Sequence, residues 1–249
     1  MTGGALERAA GLLADSRRPV VFTGAGMSKE SGIRTFRGED GYWRQYRAED
    51  LASLAAVRSD PETVWQWYAE RLLHNAEVEP HPGYHALVEL ERRIGSLPVV
   101  TQNVDGLHSR AGSSEVIELH GSLRTASCLD EPGRTFEITP RMLEELPPRC
   151  PCGAVLRPDV VLFGEVLPQE EMSRAAELAR SCDLMMLVGT SMVVYPAAAV
   201  PYAALRAGAG VIEINPEPTA LTGEPGVVSL RGRAGELLPE LIETAWRDS

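Results

Sequence analysis

Lysine is almost absent from this chain. Of its 24 basic residues only Lys29 is a lysine, which we read as genomic composition bias. Basic charge is short altogether: 35 acidic residues give a net charge of −11, which argues against nucleic acid or an anionic membrane surface as partner. Cysteine is scarce, four residues without regular disulfide spacing. The N-terminal stretch carries Leu6, Ala9, Ala10 and Leu13 on one helical face between charges, the pattern of an amphipathic helix and not of a signal peptide. Together these point to a reducing cytoplasm. The chain also lacks an unbroken apolar span. Residues 184–205 carry no charge and are long enough to cross a bilayer. Gly189, Thr190, Ser191, Pro196 and Pro201 cut them into strand, loop and helix, and no membrane partner is expected. No internal repeat or low-complexity tract is present.

What is there is ordinary for a soluble globular protein: 44% hydrophobic and 24% charged residues in 249. Such a chain buries roughly 70–75% of its extended surface, as one large domain or a main domain with a smaller insertion. Pro19-Val-Val-Phe-Thr23 reads as a buried parallel strand that breaks on Gly24-Ala25-Gly26. Ser28 is a candidate N-cap for the helix that follows, and the turn is a candidate cradle for a phosphate at a helix N-terminus. The third glycine of the dinucleotide fingerprint is missing, since Lys29 occupies its place.

Further strands are expected at 97–101, 115–119, 160–163, 184–188 and 211–214, with helices from Pro61, His85 and Glu170 and a last one from about Glu236 to Trp246. Alternating strands and helices indicate an α/β, doubly wound parallel sheet, whose ligands sit outside the carboxyl ends of the strands. Gly24, Gln102, His120, Gly164, Gly189 and Asn215 would collect along that edge.

The runs GAGMSKESGIRTFRG, TQNVDGLH, ELHGS, RPDVVLFGE, GTSMVVYPA and EINPE, in this order, resemble the sirtuins, and the resemblance covers residues 11–245. It implies an NAD-dependent protein-lysine deacylase. The expected architecture is a Rossmann-like NAD domain (1–36, 84–122 and 156–249) and a smaller domain made of two insertions, a helical one at 37–83 and one at 123–155. Acylated lysine side chains of proteins would enter between them. The products would be free lysine, nicotinamide and O-acyl-ADP-ribose.

By the same resemblance His120 is the general base, a task that an imidazole pKa near 6.5 suits. Gln102, Asn103 and Asp105, which could also be a simple polar turn, would hold the nicotinamide ribose and carboxamide, with Asn103 counted as catalytic. Gly24, Ala25 and Gly26 would face the cofactor, and Phe36 and Arg37 would sit in a loop (35–41) closing over it. Gly189, Thr190, Ser191 and Asn215 match phosphate and adenosine-ribose contacts, and Ala234 an adenine contact. Val161, Phe163 and Gly164 would line the substrate channel.

The cysteines depart from the pattern. The family's small insertion holds zinc with two cysteine pairs. Here Cys128 has Glu131 where its partner belongs, and the second pair is shortened to Cys150-Pro-Cys152. Carboxylate is an unusual fourth ligand in a closed structural site. The expectation is no metal, an insertion that folds without zinc, and a merely buried Cys182.

Tyr68 and Arg71, three apart on the helix expected from Pro61, share a face. In an arbitrary sequence they would be an amphipathic helix with a solvated arginine. Among sirtuins this spacing resembles the type that removes succinyl, malonyl and glutaryl groups, where the guanidinium grips a terminal carboxylate. The rival readings are a simple deacetylase, a protein ADP-ribosyltransferase using the same NAD site, and a non-catalytic NAD sensor. The sequence says nothing of the oligomeric state.

Overall fold

The structure is a computed structural model describing residues 3–36, 41, 44 and 47–247. Helix α1, Gly3–Asp15, buries Ala9, Ala10 and Leu13, the face its pattern marks as apolar. Strand β1, Pro19–Thr23, is buried at every position. A 3-10 helix over Ala25–Ser31 follows, with Ser28 in its interior, so Ser28 is not the expected cap.

The helical insertion comprises α2, Ala48–Leu51, α3, Leu54–Ser59, and α4, Pro61–Glu77. Asp60 starts α4 by accepting the Thr63 N–H at 3.2 Å, with Pro61 in the first turn where no N–H is needed. Helix α5, Pro82–Ile94, is capped by His81, whose Nδ1 accepts from Gly83 N at 3.0 Å, and ends on Gly95 at φ 89°. Then come β2, Val99–Thr101, α6, Leu107–Ala111, β3, Val116–Glu118, β4, Gly121–Cys128, β5, Thr135–Glu137, and β6, Leu156–Val160. The chain closes with α7, Gln169–Ser181, β7, Leu184–Val188, α8, Ala199–Arg206, β8, Gly210–Ile214, β9, Val227–Leu230, and α9, Ala234–Ala245.

The large sheet has the order β3-β2-β1-β7-β8-β9, parallel at every pairing. The chain winds outward from β1 to β3 and returns on the other side of β1 to build β7–β9. The carboxyl ends of β1 and β7 therefore flank the point where the winding reverses, where such sheets bind ligands. Both faces are covered. Val21, Val99, Met186 and Ile212 pack on α1, α5 and α9, while Phe22, Val100, Met185 and Val211 face the opposite layer with residues of α7 and α8. Burial on both faces explains why these strands read as continuous apolar runs and not as alternating ones.

The 123–155 region holds most of an antiparallel sheet, β5-β4-β6, that the sequence reading did not foresee. Its strand β6 carries this small sheet past residue 155, and the segment expected as a strand at 160–163 is mostly loop after β6. The two insertions share one core: Val57, Val64, Trp65 and Tyr68 of the helical part pack with Leu123, Ala126, Leu156 and Val160 of the sheet. Trp65 Nε1 donates to Leu156 O at 2.6 Å, which pins α4 to β6. No helix among the described residues is long and apolar enough to cross a membrane.

Candidate active site

A cavity of about 550 Å³ opens at the carboxyl edge of the large sheet and runs to the small domain. Gly24, Ala25 and Gly26 line it where β1 ends, and Gly189, Thr190 and Ser191 where β7 ends. The glycines there are steric necessities. Gly26 N donates to Gly189 O at 2.7 Å, and a Cβ on Gly26 would stand 2.7 Å from that same oxygen. Gly189 has φ 60°, and its Cβ would lie 2.2 Å from Met27 N. The two turns interlock backbone against backbone, which side chains would forbid. Gly24 N also donates to Val188 O at 3.1 Å. These two N–H groups are thus committed within the protein, and the glycines serve the joint between turns more than a paired phosphate cradle.

Gln102 and Asn103 enter from the end of β2, and Asn215 from the end of β8. Gln102 Nε2 donates to Thr190 Oγ1 at 3.0 Å, tying the two walls together. Asn103 is buried, and its Nδ2 donates to Gly24 O at 3.1 Å and to Ser28 Oγ at 2.9 Å. Both amide hydrogens are used, so Oδ1 is the atom left to accept from a ligand.

His120 stands where the chain leaves the large sheet for the small one. Its Nδ1 lies 3.0 Å from Gln102 O, and a carbonyl can only accept, so Nδ1 carries the hydrogen and Nε2 keeps its lone pair. Burial lowers the His120 pKa from its ordinary value, and the bond to Gln102 O pulls partly back. The ring is therefore a neutral base at pH 7. Its successor Gly121 has φ 75°, and a Cβ there would fall 2.0 Å from Asp159 O. His120 O accepts from Val161 N at 2.9 Å, so the base is fastened to both sheets.

From the small domain come Tyr68 and Arg71 of α4, both buried and both lining the cavity, with Phe36 beside them. The Arg71 guanidinium stands 4.4 Å from the Trp67 ring centre and 5.0 Å from that of Phe36. Val161, Phe163 and Gly164 form the facing loop, and Phe163 is half exposed at its mouth. That loop is held by a pair the sequence reading missed. Arg157 Nη1 and Nη2 reach Glu165 at 2.5 and 2.9 Å, and Glu165 accepts from Leu162 N at 2.9 Å. Burial works to raise the Glu165 pKa; the guanidinium and the Leu162 N–H outweigh it and hold it low.

Two expected residues fall elsewhere, and a third is not described. Arg37 lies outside the described residues. Asp105 does not line the cavity, because its carboxylate turns to Ser28 Oγ (2.6 Å) and Leu107 N (2.9 Å). Ala234 opens α9 inside the core of the large domain, 6% exposed, and offers the cavity no surface for an adenine.

Beyond the cavity, Cys128, Glu131, Cys150 and Cys152 bring one ligand atom each to within 4.8 Å of one another. Cys128 Sγ is 3.5 Å from Cys152 Sγ, and Cys150 Sγ is 4.0 Å from Glu131 Oε2. A tetrahedral zinc with bonds of roughly 2.3 Å to sulfur and 2.0 Å to oxygen has edges of about 3.8 and 3.5 Å. These two separations lie near such edges, and Glu131 stands where the sequence spacing lacks a cysteine.

The Sir2 family model matches residues 24–196. The chain is 52% identical over 241 residues to NAD-dependent protein deacylase 2 of Pyrobaculum aerophilum, covering 96% of this chain and 95% of that one. It superposes on a Sir2 homologue–NAD complex with a TM-score of 0.88 at 43% identity, over 97% of this chain and 94% of that one. A Sir2 protein bound to a myristoylated histone peptide aligns at 0.79, with 39% identity over 98% and 97% of the two chains. An edge of glycine turns, a neutral imidazole with a free Nε2 and relatives of this closeness carry one conclusion: the chain belongs to the Sir2 family and is an NAD-dependent protein-lysine deacylase.

Proposed function

We propose that the enzyme removes dicarboxylic acyl groups, succinyl and malonyl, from lysine side chains in preference to acetyl, in the cytoplasm. The observation that carries this is Arg71 buried beside Tyr68 on the cavity wall. Burial drives the Tyr68 pKa up to about 12, although Arg71 and Arg157 pull it down, so its hydroxyl stays a neutral donor. Beside Trp67, Val161, Leu162 and Phe163 on the same cavity wall, a guanidinium and a phenol suit a carboxylate at the tip of the acyl chain. Bound NAD supplies the ADP-ribose that receives the acyl group as nicotinamide leaves.

The chain's own residues divide the remaining work. Asn103 Oδ1 accepts from a ribose hydroxyl, His120 Nε2 takes up the hydroxyl proton, and Phe36 with the 161–164 loop keeps water from the acyl-lysine. The test is mass spectrometry of succinyl-, malonyl-, acetyl- and myristoyl-lysine forms of one peptide incubated with NAD. Succinyl and malonyl peptides are expected to turn over fastest, with O-acyl-ADP-ribose formed. Fastest loss of acetyl or myristoyl would overturn the acyl assignment. Transfer of ADP-ribose to the unmodified peptide would replace it with the transferase reading.

We also propose that Cys128, Glu131, Cys150 and Cys152 hold a structural zinc, against the expectation from sequence. Arg134, ion-paired to Glu131, offsets part of the charge of three thiolates and a carboxylate. Elemental analysis of protein purified without added metal is expected to give about one zinc per chain. Glu131→Ala is expected to lower that content and the melting temperature together, without touching the NAD cavity. Metal-free protein with an unchanged melting temperature would show that the cluster is only a polar corner.

A further inference from the structure

Behind the β8 end of the cavity lies a carboxylate that the reaction as described does not use. Glu213, next to last in β8, is fully buried. Ser229 Oγ donates to it at 2.6 Å, Thr222 Oγ1 at 2.9 Å and Arg231 Nη2 at 2.9 Å, and Thr219 Oγ1 is a fourth donor. A carboxylate offers about four lone-pair positions, so these donors saturate it. Burial works to raise its pKa; the three hydroxyls and the guanidinium outweigh that and hold it low. Glu213 is therefore a charged anchor inside the protein, with nothing left to offer a ligand.

What it anchors is the cavity wall. Arg231, just past β9, gives Nη2 to Glu213 and, at 2.7 Å, to Thr222 Oγ1. Its other terminal nitrogen, Nη1, donates to Glu217 O at 3.0 Å and to Asn215 O at 3.4 Å. Asn215 Nδ2 donates to the same Glu217 O at 2.8 Å. Asn215, Pro216 and Glu217 line the cavity, so one guanidinium joins the buried charge to a stretch of lining backbone. The place of this wall follows from strand order. His120 follows β3 and Asn215 follows β8, four strand spacings along the edge, about 19 Å. NAD is two nucleotides joined through their phosphates. With its nicotinamide ribose at His120, its adenosine half reaches the β8 end, where an amide and a carboxylate suit the hydroxyls of a ribose.

We propose that Glu213 and Arg231 are positioning residues for the adenosine half of NAD: the buried carboxylate fixes the guanidinium, whose other nitrogen holds the backbone of 215–217 against the cavity. The proposal rests on the reading that His120 serves the nicotinamide ribose. The two ends of the guanidinium separate charge from shape. Lysine at 231 keeps a cation for Glu213, but it is a point charge in place of a fork. Arg231→Lys therefore spares the buried carboxylate its partner and releases the loop carbonyls. Arg231→Met removes both, whereas Glu213→Gln combined with Arg231→Met leaves no unpaired buried charge behind.

The experiment is calorimetric titration of NAD, with its halves AMP and nicotinamide mononucleotide as competitors, on wild type and these three variants. Melting temperature and the kcat and KM of deacylation are measured beside it. Arg231→Lys is expected to melt near wild type, with NAD and AMP affinity falling alike by about 3–30-fold and nicotinamide mononucleotide by less than about 2-fold. KM for NAD should rise by the same factor, with kcat at saturating NAD within about 2-fold of wild type. The double variant is expected to match Arg231→Met in affinity loss while melting higher. Unchanged NAD and AMP affinity in folded variants would overturn the proposal and leave the pair a structural prop, as would a series in which no variant folds. Loss confined to nicotinamide mononucleotide would overturn the reading of His120 as well, because the cofactor would then lie the other way round. No acyl substrate is present in the titrations, so a wrong acyl class leaves their outcome standing.

Discussion

His120→Ala is expected to lower the deacylation rate at saturating NAD and peptide by about 10²–10⁴-fold, the usual worth of one positioned acid–base group. NAD affinity should stay within a few-fold of wild type. The reason is local. Nδ1 is spent on Gln102 O, so Nε2 is the only basic atom of the ring on offer, and alanine puts nothing in its place. The fold should survive, because the backbone bond from Val161 N to His120 O and the glycine at 121 keep the crossing between the sheets. The sign of the pH dependence follows. Burial lowers the pKa, so the neutral, active form already dominates at pH 7 and protonation removes it only in more acid solution. The rate should be nearly flat from pH 7 to 8 and fall on an acid limb lying below about 6.5. Turnover of the variant near the wild-type level would remove His120 from the chemistry.

Much of this site is legible in the sequence because its residues stand at strand ends. A parallel strand buried on both faces shows as an apolar run, and where the run stops the chain has reached the ligand edge. Gly24, Gln102, Gly189 and Asn215 were found that way, and the structure sets all four around one cavity. The small sheet was not legible. Its strands β4, β5 and β6 are half exposed, and Gly133, Pro151 and Gly153 lie between or beside them, so the period of two is short and interrupted. The nearness of Glu131 to Cys150 is hidden for a similar reason: spacing along the chain does not show how the turn after β4 faces the 150–152 turn, which sets the two 4.0 Å apart.

Ser28 misled in a different manner. A serine just after a glycine turn has the signature of an N-cap, yet the first turn is 3-10 and the hydroxyl is taken by Asp105 from another element. Ala234 lies away from the cavity because the start of α9 turns inward under α5, where a Cβ on Gly83 would stand 2.7 Å from Ala234 O, a placement that adjacency in the chain does not show.

Arg71→Met is expected to lower kcat/KM for a succinyl-lysine peptide by about 10–10³-fold while sparing or raising that for the acetyl form of the same peptide. A bond from a charged donor contributes about 1.5–3 kcal/mol, and a guanidinium can offer two in parallel to one carboxylate. Acetyl has no such acceptor, so arginine at the end of its channel gives it nothing, and methionine fills similar volume without the charge. Burial sharpens the contrast: Arg71 is 8% exposed, and a charge pair formed there is screened far less than one in water. The aromatic walls of Trp67 and Phe36 hold the guanidinium plane and should stay in place in the variant. Arg71→Lys keeps the charge and loses the fork, so it should fall between wild type and methionine. Tyr68→Phe removes one neutral donor and should cost succinyl about 2–10-fold. All four proteins must be compared on matched peptides, with NAD affinity measured separately. If Arg71→Met weakened both acyl forms equally, the arginine would be packing α4 against Phe36, and simple deacetylation would become the better account of the pocket.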